Sequence, residues 1–340
     1  MIKRAANKTP RREQLLKLLA NGEFQSGEAL AKRLKVTRAA IWKLVTSLRE
    51  LGVDIQSVQR QGYRLAHAIE LYDVKQIRSH LSVADNESVP TFEAVLTLDS
   101  TNHYVTDHPT SVTGQAVLCV AEIQQAGRGR RGRSWLAPFG SGICMSMGWL
   151  FDTAPPAFSA LSLVVGVALA RVLHQLGAPE VGLKWPNDVL WHGRKLAGVL
   201  IEMRGEPEGP AHVVIGIGFN LRVPTELRLK LIETQAALVA DLHEILGKQA
   251  PDRNFLVAAF TAELLNCLRT FSELGFAPFV EEWLRFDALR GTEVKVMIAD
   301  RTVIGLARGV SSDGSLLLET NDGIQSFVSG EVSVRARVTA

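Results

Sequence analysis

A run rich in glycine and arginine carries the densest chemical signal in the sequence. Residues 124–135 read Gln-Gln-Ala-Gly-Arg-Gly-Arg-Arg-Gly-Arg-Ser-Trp. Glycine lets a backbone approach a ligand closely, and each guanidinium can donate two parallel hydrogen bonds to a phosphate. The spacing matches neither a Walker loop nor a Rossmann fingerprint. From these residues alone, a phosphate-binding loop and a flexible basic loop for nucleic acid are equally good interpretations.

A second cluster places two lysines near one acidic residue. Lys184 begins the run Lys-Trp-Pro-Asn-Asp, which ends at Asp188, and Lys195 follows a predicted turn at 192–193. We expect the two lysines on neighbouring short strands, where their ammonium groups could converge on one anion. Asp188 could orient one lysine or help to hold Mg²⁺. Taken alone, a surface hairpin with solvated lysines is the simpler interpretation.

The other polar or reactive groups have structural explanations when each is taken alone. The run Asp-Ser-Thr-Asn at 99–102 offers hydroxyl and amide groups to a ligand, but it also suits a helix N-cap, which we favour. Cys119, Cys144 and Cys267 are odd in number, widely spaced and set among apolar residues. They predict buried thiols rather than a disulfide framework or a metal site.

Length and composition indicate a globular chain of two or three domains. The 340 residues exceed one typical domain, and 46% of them are hydrophobic while 21% are charged. The longest apolar run, 161–170, contains Ser162 and Gly166 and is shorter than the roughly 20 residues that cross a membrane. The basic N-terminus lacks the apolar stretch of a secretory signal. We therefore expect a cytoplasmic protein without a membrane segment.

The first 66 residues carry a positive charge that the rest of the chain does not share. They contain 14 Lys and Arg against 5 Asp and Glu, whereas the remainder contains 24 against 30. Apolar periodicity and the capping residues Ser26 and Thr37 predict three helices followed by two short strands, which is a winged helix-turn-helix. The predicted elements are helices 11–19, 27–34 and 38–51 and strands 54–58 and 62–65. A three-helix bundle that contacts protein is the alternative.

The basic positions of the third helix and the wing favour DNA as the partner. Lysine and arginine suit phosphate contacts, while the start of a recognition helix meets base edges in the major groove. Arg49 and Arg64 add to the basic surface. The residues expected to contact DNA are Thr37, Arg38, Ala39, Trp42, Lys43 and Arg60.

Short strands follow one another from residue 92, and the long helices are gathered apart from them. This order indicates an α+β domain whose mixed, largely antiparallel sheet has helices packed on one side. The predicted helices are 74–81, 158–176, 253–274 and 278–287, with a polar loop at 85–90. From residue 291 apolar and polar residues alternate again, in short segments separated by turns, and this pattern predicts a small β-barrel. The predicted domains are 1–66, 67–288 and 289–340.

Six motifs stand in the order seen in biotin protein ligases. They lie at 100–102, 124–133, 184–188, 194–198, 216–220 and 330–335. With the helix-turn-helix in front, the chain resembles most closely the bifunctional members of this family, which also repress the biotin operon. Two places depart from the pattern: Ser329 stands where the family often has a glycine, and 221–247 has no clear counterpart.

The resemblance implies a fold and a reaction. The expected fold is a winged helix-turn-helix, a mixed-sheet ligase domain like class II synthetases, and a C-terminal SH3-like barrel. The expected enzyme is a biotin–acetyl-CoA-carboxylase ligase, which joins the biotin carboxylate to the α-phosphate of ATP and passes biotin from biotinyl-5′-AMP to a lysine of the biotin carboxyl carrier protein. Mg²⁺ is expected to accompany ATP, with no protein ligand assigned to it. No enzyme nucleophile is required, which fits a sequence without a plausible Ser/His/Asp or Cys/His set.

The resemblance also implies roles for individual residues, because these positions match the family motifs. Lys195 would contact the biotin carboxylate and the adenylate phosphate, and Trp135 would pack against adenine. Expected in catalysis are Lys195, Arg128, Lys184 and Asp188. Expected at biotin are Ser100, Thr101, Asn102, Gln124, Gly127, Arg128 and Lys195. Expected at ATP or the adenylate are Arg130, Arg133, Trp135, Asn187, Asn220, Lys295, Glu331 and Arg335.

The implied partners are operator DNA, the carrier protein and a second copy of the chain. Biotinyl-AMP would act as corepressor by favouring a homodimer on DNA. Two alternatives remain open. One is a lipoate or octanoate ligase of the same fold, and the other is a ligand-sensing repressor whose enzyme domain is inactive.

Overall fold

The N-terminal residues form the predicted winged helix-turn-helix in the computed structural model, which describes residues 10–153, 157–205, 209–229, 238–298, 301–328 and 332–336. The Ser26 and Thr37 hydroxyls accept hydrogen bonds from the backbone N–H groups three residues later, as predicted for N-caps. The elements are α1 Arg11–Leu19, α2 Gly27–Leu34, α3 Arg38–Glu50, β1 Ile55–Val58 and β2 Gly62–Leu65. The two strands pair as an antiparallel hairpin.

The residues predicted to contact DNA are all exposed on α3 and the tip of the wing. Trp42 is 58% exposed, although it is a large apolar side chain. Arg49 and Arg64, the two arginines that add to the basic surface, contact other residues of the same domain. The Arg49 guanidinium donates to the Ile55 carbonyl oxygen at 2.7 Å, and Arg64 lies over the Phe24 ring. These two arginines therefore hold the wing against the helices.

Seven strands form the central mixed sheet, and its fold class is the predicted one. The strands are β3 Thr91–Leu98, β4 Ala116–Gln124, β5 Gly142–Phe151, β6 Val181–Lys184, β7 Asp188–Trp191, β8 Arg194–Gly205 and β9 Ala211–Asn220. Their spatial order is β3-β4-β5-β9-β8-β7-β6. Among the described residues only β3 and β4 pair in parallel, and the remaining pairs are antiparallel.

Helices cover both faces of this sheet, so the prediction that they lie on one side is wrong. Leu118 and Val120 of β4 point to the main core with α7 (Leu161–Gln175) and α9 (Arg253–Leu274). Their neighbours Val117 and Cys119 point the other way. There they contact α6 (Thr101–Asp107), a helix of which the sequence predicts only the N-cap. Alternation along a strand makes the two faces distinct.

The segment predicted as a polar loop at 85–90 contains a short helix. The helix runs from Val83 to Ser88, and the Ser82 hydroxyl caps it by accepting from the Asp85 N–H. This helix is α5, and the remaining α-helices of the described residues are α4 Val74–Ser79, α8 Leu242–Leu246 and α10 Val280–Phe286. A serine three residues before an acidic residue indicates the N-terminus of a helix, although the polar composition of the segment suggests a loop.

The two long apolar helices belong to the core. By length and hydropathy alone, Phe158–Gln175 and Arg253–Leu274 would be long enough to cross a membrane. However, 72% and 56% of their apolar windows are buried within the fold. Arg171 of α7 also pairs with Glu263 and Glu282, at 2.7 and 2.5 Å. The helices therefore pack on the sheet and on each other, as core helices do.

Five antiparallel strands follow, where the sequence predicts the small barrel. They are β10 Glu293–Ile298, β11 Arg301–Val310, β12 Leu316–Thr320, β13 Gly323–Phe327 and β14 Val332–Ala336, in the spatial order β13-β12-β11-β10-β14. This unit docks directly on the ligase domain. The Trp185 indole N–H donates to the Gly314 carbonyl oxygen at 3.1 Å, and a Cβ on Gly314 would lie 2.5 Å from the Ala160 side chain.

Candidate active site

One cavity of about 390 Å³ brings together the three polar clusters that the sequence singles out. It lies on the sheet between the ends of β4 and β8, under the segment 124–135. The predicted residues that line it are Ser100, Thr101, Asn102, Gln124, Arg128, Arg130, Arg133, Trp135, Lys184, Asn187, Asp188 and Lys195. Residues more than 90 positions apart in sequence therefore face one another in a single site.

Lys184 and Lys195 converge on Asp188, but their strands are not neighbours as predicted. Lys184 ends β6, Asp188 begins β7 and Lys195 lies on β8, so the strand that carries the aspartate runs between the other two. Lys195 Nζ is 2.6 Å from one carboxylate oxygen, and Lys184 Nζ is 3.6 Å from the other. The anion between the two ammonium groups is therefore a side chain of the protein.

Burial and charge act in opposite directions within this cluster. Burial lowers the pKa of Lys184, since it outweighs the attraction of Asp188. Burial by itself would raise the pKa of Asp188, but Lys195 and Lys184 hold this pKa below its ordinary value. The cluster therefore contains an ionised carboxylate and a lysine whose charge is less favoured than in water.

The segment 124–135 folds back on itself as a closed loop. The Gly127 carbonyl oxygen accepts from the Trp135 N–H at 2.8 Å, and Gly129 N–H donates to the Arg133 carbonyl oxygen at 2.6 Å. Glycine is required at 127, because a Cβ there would lie 2.4 Å from the Trp135 carbonyl oxygen. Arg130 reaches into the cavity, where burial lowers its pKa and its guanidinium is 3.4 Å from Asn187 Oδ1.

Trp135 lies on glycines of the sheet rather than beside the loop that carries it. A Cβ on Gly218 would be 2.2 Å from the indole ring, and one on Gly198 would be 3.5 Å away. Lys195 Nζ is 5.6 Å from the ring centroid on the same side of the sheet. A glycine inside a strand often marks a place where another group approaches the backbone closely, and this signal would have identified Gly198 and Gly218. The indole forms one wall of the cavity, where a flat ligand could stack.

A hydrogen-bonded chain, buried at Thr101, Asn102 and Ser146 and half-buried at its two ends, forms the polar end of the cavity. The Thr101 N–H donates to Gln124 Oε1 at 2.8 Å, and the Asn102 amide donates to Glu202 at 2.6 Å. The Ser146 hydroxyl lies 2.6 Å from both Thr101 Oγ1 and Asn102 Oδ1. Ser146 and Glu202 are absent from the predicted site. Each is a polar residue inside an apolar strand, which is the signal that could have found them.

The structure does not bring every predicted residue to the cavity. Asn220 lies behind it, where its amide donates to the Lys195 carbonyl oxygen at 3.1 Å. Lys295 is exposed on β10 and pairs across the sheet with Arg335, while Val334 of the same strand lines the cavity. Glu331 lies outside the described residues.

The cavity does not contain a set of ligands for Mg²⁺. No group of three or more His, Cys, Asp or Glu residues in the described part of the chain could hold a metal ion. Asp188 is the carboxylate among the lining residues, and both of its oxygens contact lysines. Mg²⁺ prefers carboxylates together with substrate phosphates, so these residues do not fit a dedicated metal site.

Comparison with known proteins agrees with this architecture. Residues 95–220 match the biotin/lipoate A/B protein ligase family, 11–64 match an HTH domain, and 291–335 match the biotin protein ligase C-terminal domain. The bifunctional ligase/repressor BirA of Escherichia coli is 40% identical over 95% of this chain and 97% of its own length. The corresponding protein of Bacillus subtilis is 29% identical over 95% and 98%.

A solved structure supports the fold of the ligase domain. Biotin protein ligase from Aquifex aeolicus in complex with biotin and ATP superposes with a TM-score of 0.60 at 28% identity. The match covers 73% of this chain and 99% of that chain. The near-complete coverage of the bifunctional relative adds the helix-turn-helix to this shared core. The chain belongs to the biotin protein ligase family, in the three-part form of its bifunctional ligase/repressors.

Proposed function

We propose that this protein is an ATP-dependent biotin ligase that also represses transcription, and that the cavity described above is its active site. The observation that carries the site assignment is the convergence of Lys184, Lys195 and Arg130 beside a polar pocket end that suits a cyclic urea. The cationic end is suited to a carboxylate and a phosphate, which repel each other unless positive charge surrounds them. Biotin carries a carboxylate and a cyclic urea at opposite ends.

In the first step the biotin carboxylate attacks the α-phosphorus of ATP. A bond forms between the carboxylate oxygen and phosphorus, the bond to the β-phosphate oxygen breaks, and pyrophosphate leaves. Lys195 contacts the carboxylate and the α-phosphate, while Lys184, Arg130 and Arg133 offset the remaining negative charge. Arg128, which lies 3.2 Å from Glu202 at the polar end, closes over the biotin side of the intermediate. Asp188 keeps both lysines in place before substrate arrives. Catalysis is therefore by position and charge, without a covalent enzyme intermediate.

In the second step an acceptor lysine attacks the carbonyl carbon of biotinyl-5′-AMP. An amide bond forms, the bond between that carbon and the phosphate oxygen breaks, AMP leaves, and the amine loses a proton to solvent. The acceptor supplies the nucleophile, so the chain needs only to hold the intermediate. The carrier protein of acetyl-CoA carboxylase is the proposed acceptor. Mg²⁺ enters with ATP on its phosphates, and no step here depends on a protein ligand for it.

The remaining residues of the predicted site have supporting parts. Trp135 offers a face for adenine, Asn187 orients Arg130, and Asn220 fixes the backbone of Lys195. Lys295, Arg335 and Glu331 stay proposed nucleotide contacts from the C-terminal unit. The proposed domain limits remain 1–66, 67–288 and 289–340, and the cytoplasm is the proposed compartment.

The N-terminal module is the proposed DNA-binding domain. Exposed Arg38, Lys43 and Arg60 suit operator phosphates, while Thr37, Ala39 and Trp42 suit base edges. One winged helix makes a small contact, so two copies related by a two-fold axis would read a palindrome. Biotinyl-AMP is the proposed corepressor, and its binding favours the homodimer. Consumption of the adenylate by unmodified acceptor then relieves repression.

Biotin-dependent exchange of pyrophosphate into ATP tests the enzymatic half of this proposal. We expect exchange with biotin and none with lipoate or octanoate, followed by transfer of biotin to the carrier protein. Mass spectrometry of the purified protein would detect bound biotinyl-AMP. Exchange supported by lipoate alone would identify a lipoate ligase, and no exchange with any acid would leave a ligand-sensing repressor.

A further inference from the structure

The hydrogen-bonded chain at the polar end of the cavity is closed by a half-buried residue that has no place in the reaction. Glu202, on β8, accepts from the Asn102 amide at 2.6 Å and from Arg128 at 3.2 Å. The chain continues through Ser146, which is 0% exposed, to Thr101 and then to Gln124. It therefore begins at a carboxylate and ends at two side chains that face the cavity.

The carboxylate determines the direction of every proton in this chain. A carboxylate only accepts hydrogen bonds, so the Asn102 amide must point its NH₂ group at Glu202 and its oxygen at Ser146. The Ser146 hydroxyl has one proton, and Asn102 Oδ1 can only accept it. The Thr101 hydroxyl also has one proton, and two oxygens inside the chain lie within hydrogen-bond distance of it, Ser146 Oγ at 2.6 Å and Gln124 Oε1 at 3.1 Å. Thr101 Oγ1 is left with lone pairs and no proton for a ligand.

The second cavity-facing group has the opposite character. Gln124 Oε1 accepts from the Thr101 backbone N–H at 2.8 Å, so its NH₂ group is the part left for a ligand. The pocket end therefore presents an acceptor at Thr101 beside a donor at Gln124. A cyclic urea or amide, with an N–H next to a C=O, is the complementary ligand.

We propose that Glu202 is a positioning residue that sets this polarity, and so makes the pocket select a ring N–H at the position facing Thr101. The proposal rests on the assignment of the cavity as the biotin site. The close packing of the chain supports it, because a Cβ on Gly216 would lie 2.2 Å from Asn102 Oδ1. Glycine at 216 thus leaves room for the Asn102 side chain between Glu202 and Ser146, and these two partners set the orientation of its amide.

Two substitutions interrupt the chain at different points. In Glu202→Gln the new amide can also donate, so Asn102 can rotate and the proton direction can reverse. In Ser146→Ala the hydroxyl that links Asn102 to Thr101 is lost, while the ion pair of Glu202 with Arg128 stays. Both changes remove Ser146 as an acceptor for the Thr101 proton and leave only the longer contact to Gln124 Oε1, so the Thr101 hydroxyl can turn to a ligand. Ser146→Ala and Glu202→Gln change the size of the side chain little, so we expect both variants to fold. Circular dichroism checks this.

The experiment compares the dissociation constants of biotin and of its two cyclic carbamate analogues, in which one ring N–H or the other is replaced by oxygen. Calorimetry on the full-length protein gives these constants without catalysis. The unaltered protein should bind at least one analogue about 100-fold more weakly than biotin, since the ring oxygen of that analogue would face the Thr101 lone pairs. We call the ratio of the dissociation constants of this analogue and of biotin the preference, and in both variants we expect it to fall by about tenfold. Glu263→Gln, which removes a carboxylate from Arg171 far from the cavity, is the matched control and should keep the full preference.

The outcomes separate the possible explanations. Unchanged preference in both variants would overturn the proposal. A preference that is lost in Glu202→Gln but complete in Ser146→Ala would also overturn it. Such a result would show that Glu202 acts on the ligand by way of its ion pair with Arg128 and not by way of the hydrogen-bonded chain. If the unaltered protein binds no biotin, the biotin ligase assignment itself fails.

Discussion

Replacing Asp188 with asparagine should separate the electrostatic role of this residue from the role of its shape. The change removes the anion that Lys195 Nζ approaches to 2.6 Å and Lys184 Nζ to 3.6 Å. Removing one partner of a buried ion pair costs roughly 3–5 kcal/mol. The three side chains keep 18–24% of their surface exposed, so screening favours the lower value of about 3 kcal/mol. This corresponds to a melting temperature about 6–12 °C lower.

The same substitution should change how activity depends on pH. Burial already lowers the pKa of Lys184, and Asp188 opposes that shift. Without the carboxylate this pKa falls further, so Lys184 loses its charge at a lower pH. The alkaline limb of kcat/KM for pyrophosphate exchange should therefore move to lower pH in Asp188→Asn. Biotin and ATP should raise the melting temperature of this variant more than that of the unaltered protein, since their anions replace the lost charge.

A control on the same hairpin makes this test specific. Glu180→Gln removes an exposed carboxylate that lies 3.1 Å from His192, and we expect melting and activity to stay unchanged. A melting temperature and an alkaline limb equal to those of the unaltered protein in Asp188→Asn would refute the reasoning. They would show that the two lysines do not depend on Asp188 for their charge or position.

Three further predictions concern other parts of the chain. Lys195→Ala should lower adenylate synthesis at saturating substrate by at least about tenfold, because a charge-assisted contact to the reacting anions is lost; an unchanged rate contradicts the assignment. Burial raises the pKa of Asp287 to about 6, so its folded pKa exceeds the unfolded one and stability falls as pH rises from about 4 to 6. Asp287→Asn should therefore stabilise the protein by about 1–2 kcal/mol in urea unfolding at pH 8 and by almost nothing at pH 4, and equal gains at both would argue against this. In sedimentation, biotin plus ATP should shift the protein from monomer to dimer and strengthen operator binding, with a steep dependence on salt; an adenylate that alters neither property rules out the corepressor role.

Local signals in the sequence determined most of the secondary structure. The caps at Ser26 and Thr37 and the period of the apolar residues predict the helix-turn-helix because both features act within one or two turns. The helix at 253–274 has the predicted ends for the same reason. The short helix Val83–Ser88 was missed because its residues are polar, and polarity resembles a loop unless the cap is recognised.

The chemical types in the site were also available from the sequence. From their types alone, the arginine-rich run and the two lysines suited a bound anion but equally a nucleic-acid loop and a solvated hairpin, and it was the order of the motifs that pointed to the biotin protein ligases. Spacing did not show that the strand of Asp188 lies between those of the lysines, because strand order depends on which edges pair in the sheet. Nor did it show that Lys295 stays outside the cavity, since that depends on how the C-terminal unit docks.

The sequence by itself determined the helix and strand types, the basic N-terminal module and the inventory of charged and polar groups. These properties depend on residues that are near one another along the chain. The tertiary structure alone decided that Asp188 joins two lysines, that Trp135 lies on Gly198 and Gly218, and that Ser146 and Glu202 belong to the site. Each of these contacts joins residues on different strands, or joins a strand to a helix or to the 124–135 loop. The physical reason is that a side chain's partners across a sheet depend on the packing of the whole domain.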